Sequence, residues 1–253
     1  MTEREWPESA DQRAAAGLAE RLERVEQRIR RACQAAGRDR STVALLPVSK
    51  TQPVAAIRQA RAAGLSRMGE NRVQELVAKA ERLGDLPDLA WVLIGHLQSN
   101  KVALAARWAS QIQSVDSLRL AQALDRQGQS LGRPVEVLIE VNTSGEPSKF
   151  GFPPDQVPAA AAQLRHLTSL RPLGLMTVAQ QSSEPDQVAA CFARLAALRE
   201  RLRQDQGGGW AELSMGMSGD FDLAIAQGST CLRIGSAIFG PRPVAAADQP
   251  STA

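Results

Sequence analysis

Tyrosine is absent from this 253-residue chain, and aromatic residues of all kinds make up only 4% of it. A mechanism that needs a phenolic acid or base cannot draw one from this sequence. Histidine occurs twice, as His96 and His166, which rules out a multi-histidine metal centre. The three cysteines, Cys33, Cys191 and Cys231, are odd in number and too widely spaced for metal ligation. Sparse thiols of this kind point to a reducing compartment. No apolar run approaches the roughly 20 residues of a membrane span. The opening Met-Thr-Glu-Arg-Glu-Trp-Pro-Glu lacks the apolar core of a signal peptide. The expectation is a cytoplasmic protein without membrane contact. Lysine is scarce too: Lys50, Lys79, Lys101 and Lys149 are four of 30 basic residues, the rest being arginine.

What is present is ordinary for a globular protein, with 43% hydrophobic and 23% charged residues. The net charge of +3 arises from arginines interleaved with glutamates, as in Glu20-Arg21-Leu22-Glu23-Arg24. That is the pattern of solvated helix faces, not a basic stripe, so no nucleic-acid partner is expected. Residues 11–36 read as an amphipathic helix, with Leu18, Leu22, Val25, Ile29 and Cys33 at helical spacing and Gly37 as its stop. Eight short apolar runs follow: 43–49, 66–69, 91–95, 112–115, 135–141, 173–178, 212–217 and 231–235. Helical stretches such as 53–63, 72–83, 117–131, 155–167 and 185–204 lie between them. Pro53 and Pro185 suit first turns, Asp116 and Ser183 suit caps, and Gly64 and Gly228 suit helix ends. Eight strand-like runs alternating with helices predict an α/β fold, a single (β/α)8 TIM-type barrel with an extra N-terminal helix. An open doubly wound sheet is the alternative, but Ser49-Lys50-Thr51-Gln52-Pro53 after the first run is not its glycine-rich turn. The expected arrangement is one barrel domain over 1–240, with 1–10 flexible, and a flexible tail over 241–253.

Barrels carry chemistry at the carboxyl ends of their strands. Lys50 ends the first apolar run. Desolvation there lowers a lysine pKa, and the neutral amine attacks an aldehyde to give a Schiff base; a structural ion pair or a snorkelling rim lysine is the plainer alternative. Loops after the last two strands of a barrel often bind phosphate. Ser214, Ser218 and Ser236 could supply hydroxyls there, and Gly235 allows close backbone approach, although serines also simply cap helices. Ser218 suits a helix start before Asp220. Arg233 alternates with Leu232 and Ile234 and so faces inward, toward either a barrel carboxylate or a cofactor ring nitrogen. A lysine for an aldehyde, a phosphate cradle and an inward arginine together fit pyridoxal phosphate.

Several ordered motifs carry a resemblance. They are Val48-Ser49-Lys50-Thr51, Gly69-Glu70-Asn71-Arg72-Val73-Gln74-Glu75, and Ile94-Gly95-His96-Leu97-Gln98-Ser99-Asn100-Lys101. Further along stand Val141-Asn142, Gly174-Leu175-Met176, Leu213-Ser214-Met215-Gly216-Met217-Ser218 with Asp220, and Arg233-Ile234-Gly235-Ser236-Ala237-Ile238-Phe239-Gly240. From about residue 18 to Gly240 the sequence resembles the pyridoxal phosphate homeostasis protein family, which shares the barrel of fold-type III enzymes. The resemblance implies that pyridoxal phosphate is held covalently on Lys50. It further implies that Arg233 faces the pyridine nitrogen and that Ser214, Ser218, Gly235 and Ser236 surround the phosphate. Asn71 would line the pocket, and Asn142 and Met176 would be wall residues. His96 lies within a matching motif but is not expected to be catalytic. Arg72 and Pro241-Arg242-Pro243 stand where the family often has tyrosines.

The implied function is intracellular holding and delivery of the cofactor, with no substrate turnover. Pyridoxal-phosphate-dependent apo-enzymes are implied recipients, and a monomer is expected. The alternative is an amino-acid racemase on the same barrel. Two-base racemization of the alanine racemase type needs a tyrosine opposite the lysine, which no homodimer of this chain contains. The strands also use up the sequence, leaving no second domain to close the site, and an open site retains water. A ring nitrogen facing arginine stays unprotonated, which makes the ring a poorer electron sink.

Overall fold

The structure is a computed structural model that describes residues 10–206 and 209–241, with side chains from residue 17 onward. Of the segments expected to be flexible, 1–10 and 241–253, residues 1–9 and 242–253 lie outside the described residues, as do two glycines of the run 207–209, while Ala10 already begins a helix. A long helix, α1 (Ala10–Ala35), precedes the first strand. Strands and helices then alternate: β1 (Ala44–Pro47), α2 (Val54–Ala62), β2 (Arg67–Glu70), α3 (Val73–Arg82), β3 (Ala90–Leu93) and α4 (Val102–Trp108). They continue as β4 (Gln111–Val115), α5 (Leu118–Leu131), β5 (Val135–Glu140), α6 (Val157–Leu164), β6 (Leu170–Met176) and α7 (Pro185–Gln206). The last elements are β7 (Glu212–Ser214), α8 (Phe221–Ala226), β8 (Cys231–Ile234) and α9 (Ser236–Phe239).

All eight strands are parallel, in the order β1-β8-β7-β6-β5-β4-β3-β2. The ring closes between β1 and β2 through a single bridge, Val48 to Gly69, reinforced by the Ser49 N–H donating to the Gly69 carbonyl at 3.0 Å. This is the expected TIM-type α/β barrel. Alternation along each strand sends one set of side chains to the helices and the other to the barrel axis. Val135, Val137, Ile139, Leu213, Leu232 and Ile234 join the main apolar core between sheet and helices. Leu46, Val92 and Cys231, with Ile94 against them, form a separate small cluster. No described helix is long and apolar enough to cross a membrane.

Some local signals resolve differently from expectation. Ser117, not Asp116, caps α5, accepting from the Leu120 N–H at 3.3 Å, while Asp116 bonds His96. Ser182, not Ser183, accepts from the Glu184 N–H ahead of α7. Helix α8 begins at Phe221 behind Asp220, so Ser218 lies in the preceding turn and does not cap it. Helix α4 has seven residues, too few for a decisive periodic pattern.

Candidate functional site at the carboxyl end of the barrel

Leu46 and Val48 are buried, and Lys50 continues their alternation into the loop after β1, where it is half-buried. Next to it Thr51 takes φ of 64°, a left-handed conformation unusual for a β-branched residue. Its N–H donates to Glu75 Oε1 at 2.6 Å.

Arg233, 3% exposed, points into the barrel as expected. Nη1 donates to Ser214 Oγ and Nη2 to the Thr177 carbonyl, each at 2.7 Å. Among the described residues it makes no salt bridge, and burial pushes its pKa below the ordinary value. Its direct hydrogen bonds go to Ser214 and Thr177, and the Glu140 carboxylate acts on it through charge alone. The Ser214 hydroxyl is fully buried and committed at both ends, because it also donates to Gln113 Oε1 at 2.6 Å. From there a polar thread runs along the interior. Gln113 donates to Gln111, Gln111 donates to Glu212, and Arg67 donates to Gln111.

Ser218 and Ser236 bring their hydroxyls within 3.4 Å of each other. A Cβ on Gly235 would stand 3.1 Å from the Val48 carbonyl oxygen, so the glycine lets β8 pass close beside the strand that leads to Lys50. Helix α1 fastens the elements that carry these loops. Arg28 donates to the Asp222 carboxylate and, at 3.1 Å, to the Ser218 carbonyl, and its guanidinium lies 4.1 Å from the Phe221 ring centre. Arg21 donates to the Ile238 carbonyl at 2.7 Å. A cavity of about 500 Å³ opens beside Met217, Gly219 and Asp220.

Asn71 lines a second cavity, of about 450 Å³, together with Arg72, His96 and Lys101. Its backbone is held against Gly95, where a Cβ would come within 2.3 Å of the Asn71 carbonyl oxygen. His96 bonds Asp116 at 2.9 Å and stacks on Phe150 with ring centres 3.7 Å apart. Met176 is fully buried at the end of β6, paired with Glu140 and Ser214. Asn142 spends its amide on its own loop, donating to the Glu146 carbonyl at 2.9 Å and accepting from Ser144 Oγ and the Gly145 N–H at 3.0 Å each. These bonds shape the 142–149 turn.

A family model described as the N-terminal domain of alanine racemase matches residues 21–243. A pyridoxal phosphate homeostasis protein of Pseudomonas aeruginosa is 46% identical over 225 residues, covering 89% of this chain and 96% of the relative. The protein of that name from Bos taurus is 38% identical over 250 residues, covering 90% and 89%. The chain belongs to the pyridoxal phosphate homeostasis protein family. The PipY protein of Synechococcus elongatus, solved with pyridoxal phosphate bound, superposes with a TM-score of 0.77 at 39% identity, covering 88% of this chain and all of that one. Its form without the cofactor gives 0.81 at 41% identity, with the same coverage. Alanine racemase of Streptomyces coelicolor, at 18% identity and a TM-score of 0.69, shares the fold.

Two features of this family member's site are not among the residues singled out from its sequence. Glu140, on the inward row of β5, has its Oε2 buried and without a hydrogen-bond partner among the described residues. Burial first, then the Asp116 charge, push its carboxyl up to about 7, with Arg233 opposing. The alternation that marked Arg233 also marks Glu140, since Val135, Val137 and Ile139 face outward. The other is a buried cluster beneath Lys50, formed by Glu70, Lys79 and Ser49.

Proposed function

We propose that this chain binds pyridoxal phosphate through a Schiff base on Lys50 and serves inside the cell as a holder and supplier of it, without turning over a substrate. The observation that carries this is the conjunction, on adjacent strands at one end of the barrel, of Lys50 with a buried Arg233 that makes no direct salt bridge among the described residues. The donor set fits the group: an amine, a guanidinium that donates two of its five N–H groups to Ser214 and Thr177, and a pair of hydroxyls 3.4 Å apart. Identities of 38–46% to proteins named for pyridoxal phosphate homeostasis support it.

When bound, pyridoxal phosphate supplies an aldehyde that reacts with amines and a conjugated ring able to store negative charge. Lys50 supplies the amine and Arg233 faces the pyridine nitrogen. The high pKa of a guanidinium keeps Arg233 from giving that nitrogen a proton. Ser218, Ser236 and the backbone at Gly235 surround the phosphate, with α1 holding their loops through Arg28 and Arg21. Ser214 acts through Arg233, and Asn142 through its loop. Asn71 and Met176 form walls. Residues up to 240 work as one monomeric cofactor-binding unit, and apo-enzymes that use pyridoxal phosphate are its recipients. The missing tyrosine leaves this chain without the second base of a two-base racemase.

The test is incubation of the loaded protein with a panel of L-amino acids, following enantiomer exchange and amine loss. The expected result is no turnover beyond one equivalent. Sustained exchange would make it an enzyme.

A further inference from the structure

Ser49 and Glu70 are fully buried and Lys79 is 7% exposed, in the seam where β1 and β2 close the barrel. Lys79 Nζ donates to the Ser49 carbonyl at 2.6 Å and to Glu70 Oε1 and Glu75 Oε1 at 2.7 Å each. Ser49 Oγ donates to Glu70 Oε1 at 2.6 Å. Glu75 and Lys79 stand one turn apart on α3, so both reach the same side. The knot is a costly way to fill a seam. Glu70 Oε2 has no hydrogen-bond partner among the described residues, and burial raises the Glu70 carboxyl pKa. Buried ion pairs often stabilise a fold no better than apolar side chains of similar volume.

What the knot does hold is the backbone on both sides of Lys50. Ser49 is fixed through its N–H, its hydroxyl and its carbonyl. Thr51 is fixed through the N–H that Glu75 accepts, in a left-handed conformation that a β-branched residue adopts only when its surroundings impose it. The Gln52 N–H then closes back on the Ser49 carbonyl at 2.9 Å. Lys50 thus sits between two clamped residues, and its side chain leaves the backbone in a fixed direction.

We propose that Glu75, with Lys79 and Glu70 behind it, is a positioning device for Lys50: it holds Thr51 left-handed so that the lysine amine is pre-aimed at its carbonyl partner. This rests on the assignment of Lys50 as the attachment point. Pre-aiming acts on the rate of attachment, since small misplacements of a reacting group cost up to about 100-fold.

The experiment uses the full chain in wild-type, Glu75→Ala, Glu75→Gln and Glu75→Ala/Thr51→Gly forms. Each is mixed with pyridoxal phosphate, and attachment is followed by absorbance and by borohydride trapping on the peptide that carries Lys50, across pH. Melting curves of the unloaded proteins check folding. Glu75→Ala is expected to slow attachment about 10-fold or more, while Glu75→Gln, which keeps the acceptor oxygen, stays near wild type. Glycine enters left-handed φ without strain, so adding Thr51→Gly to Glu75→Ala is expected to restore most of the rate. A merely structural cluster predicts no such rescue. Wild-type attachment kinetics in a folded Glu75→Ala protein, or no recovery in the double variant, overturns the proposal. Failure of wild type to trap at Lys50 instead refutes the Lys50 assignment, and the positioning proposal with it.

Discussion

Replacing Glu140 by glutamine tests the electrostatics of the barrel interior without adding or removing a heavy atom. The glutamate sits with one oxygen buried and unpartnered among the described residues, and its pKa is lifted from 4.5 to about 7. An acid whose folded-state pKa is raised is bound to its proton more tightly in the native state. The associated stability is fully present below pH 4.5 and is lost as pH rises through about 7. The shift corresponds to about 3 kcal/mol of native stability given up between those limits. Glu140→Gln carries no charge to desolvate, so it should match wild type near pH 4.5 and exceed it by up to about 3 kcal/mol near pH 8. For a chain of this size that is a rise of about 6–12 °C in Tm. Thermal melts at the two pH values, without pyridoxal phosphate so that ligand linkage does not intrude, provide the assay. A variant destabilised equally at both values would refute the reasoning, because it would mean that the ionised carboxylate is satisfied in the native state.

Arg233→Gln removes a guanidinium that bonds Ser214 and Thr177. It should alter the absorbance of bound pyridoxal phosphate while costing the unloaded fold about 1–3 kcal/mol in denaturant titrations. Gly95→Ala would bring a Cβ within 2.3 Å of the Asn71 carbonyl oxygen. The backbone at Asn71 must shift, so pyridoxal phosphate affinity measured by titration should fall more than Tm does. Cys231 is fully buried among core residues and its thiol is pushed up to about 11, chiefly by burial. Iodoacetamide at pH 8 should leave the native protein unlabelled at Cys231 and label it after unfolding in guanidinium, as read by peptide mass.

The barrel was legible because eight apolar runs alternate with helices at regular intervals, and because inward and outward residues differ in chemistry. Arg233 could be assigned to the interior from two neighbours alone. Strand ends were less legible: β1 pairs over Ala44–Pro47, yet the apolar run continues to Ser49, which leaves the ladder for the seam beside β2. Adjacent Asp116 and Ser117 are both good caps, and only the presence of His96 across the loop decides between them. The pairing of Ser214 with Gln113 was not legible because the two lie 101 residues apart in sequence. The hydrogen bonds of Asn142 within its own loop were not read from the sequence, although asparagine ahead of Thr-Ser-Gly is a turn former. The pairing of Glu70 with Lys79 was not legible for the same reason, since a charged residue does not reveal from the sequence alone which charge it will meet.

The assignment of Lys50 is tested most directly by reduction of the loaded protein with borohydride, followed by peptide mass mapping. The predicted result is a pyridoxyl adduct confined to the peptide that carries Lys50, lost in a Lys50→Ala variant whose melting curve is otherwise that of the wild type. An adduct on Lys79, Lys101 or Lys149 in place of Lys50, or one that survives Lys50→Ala unchanged, would contradict it.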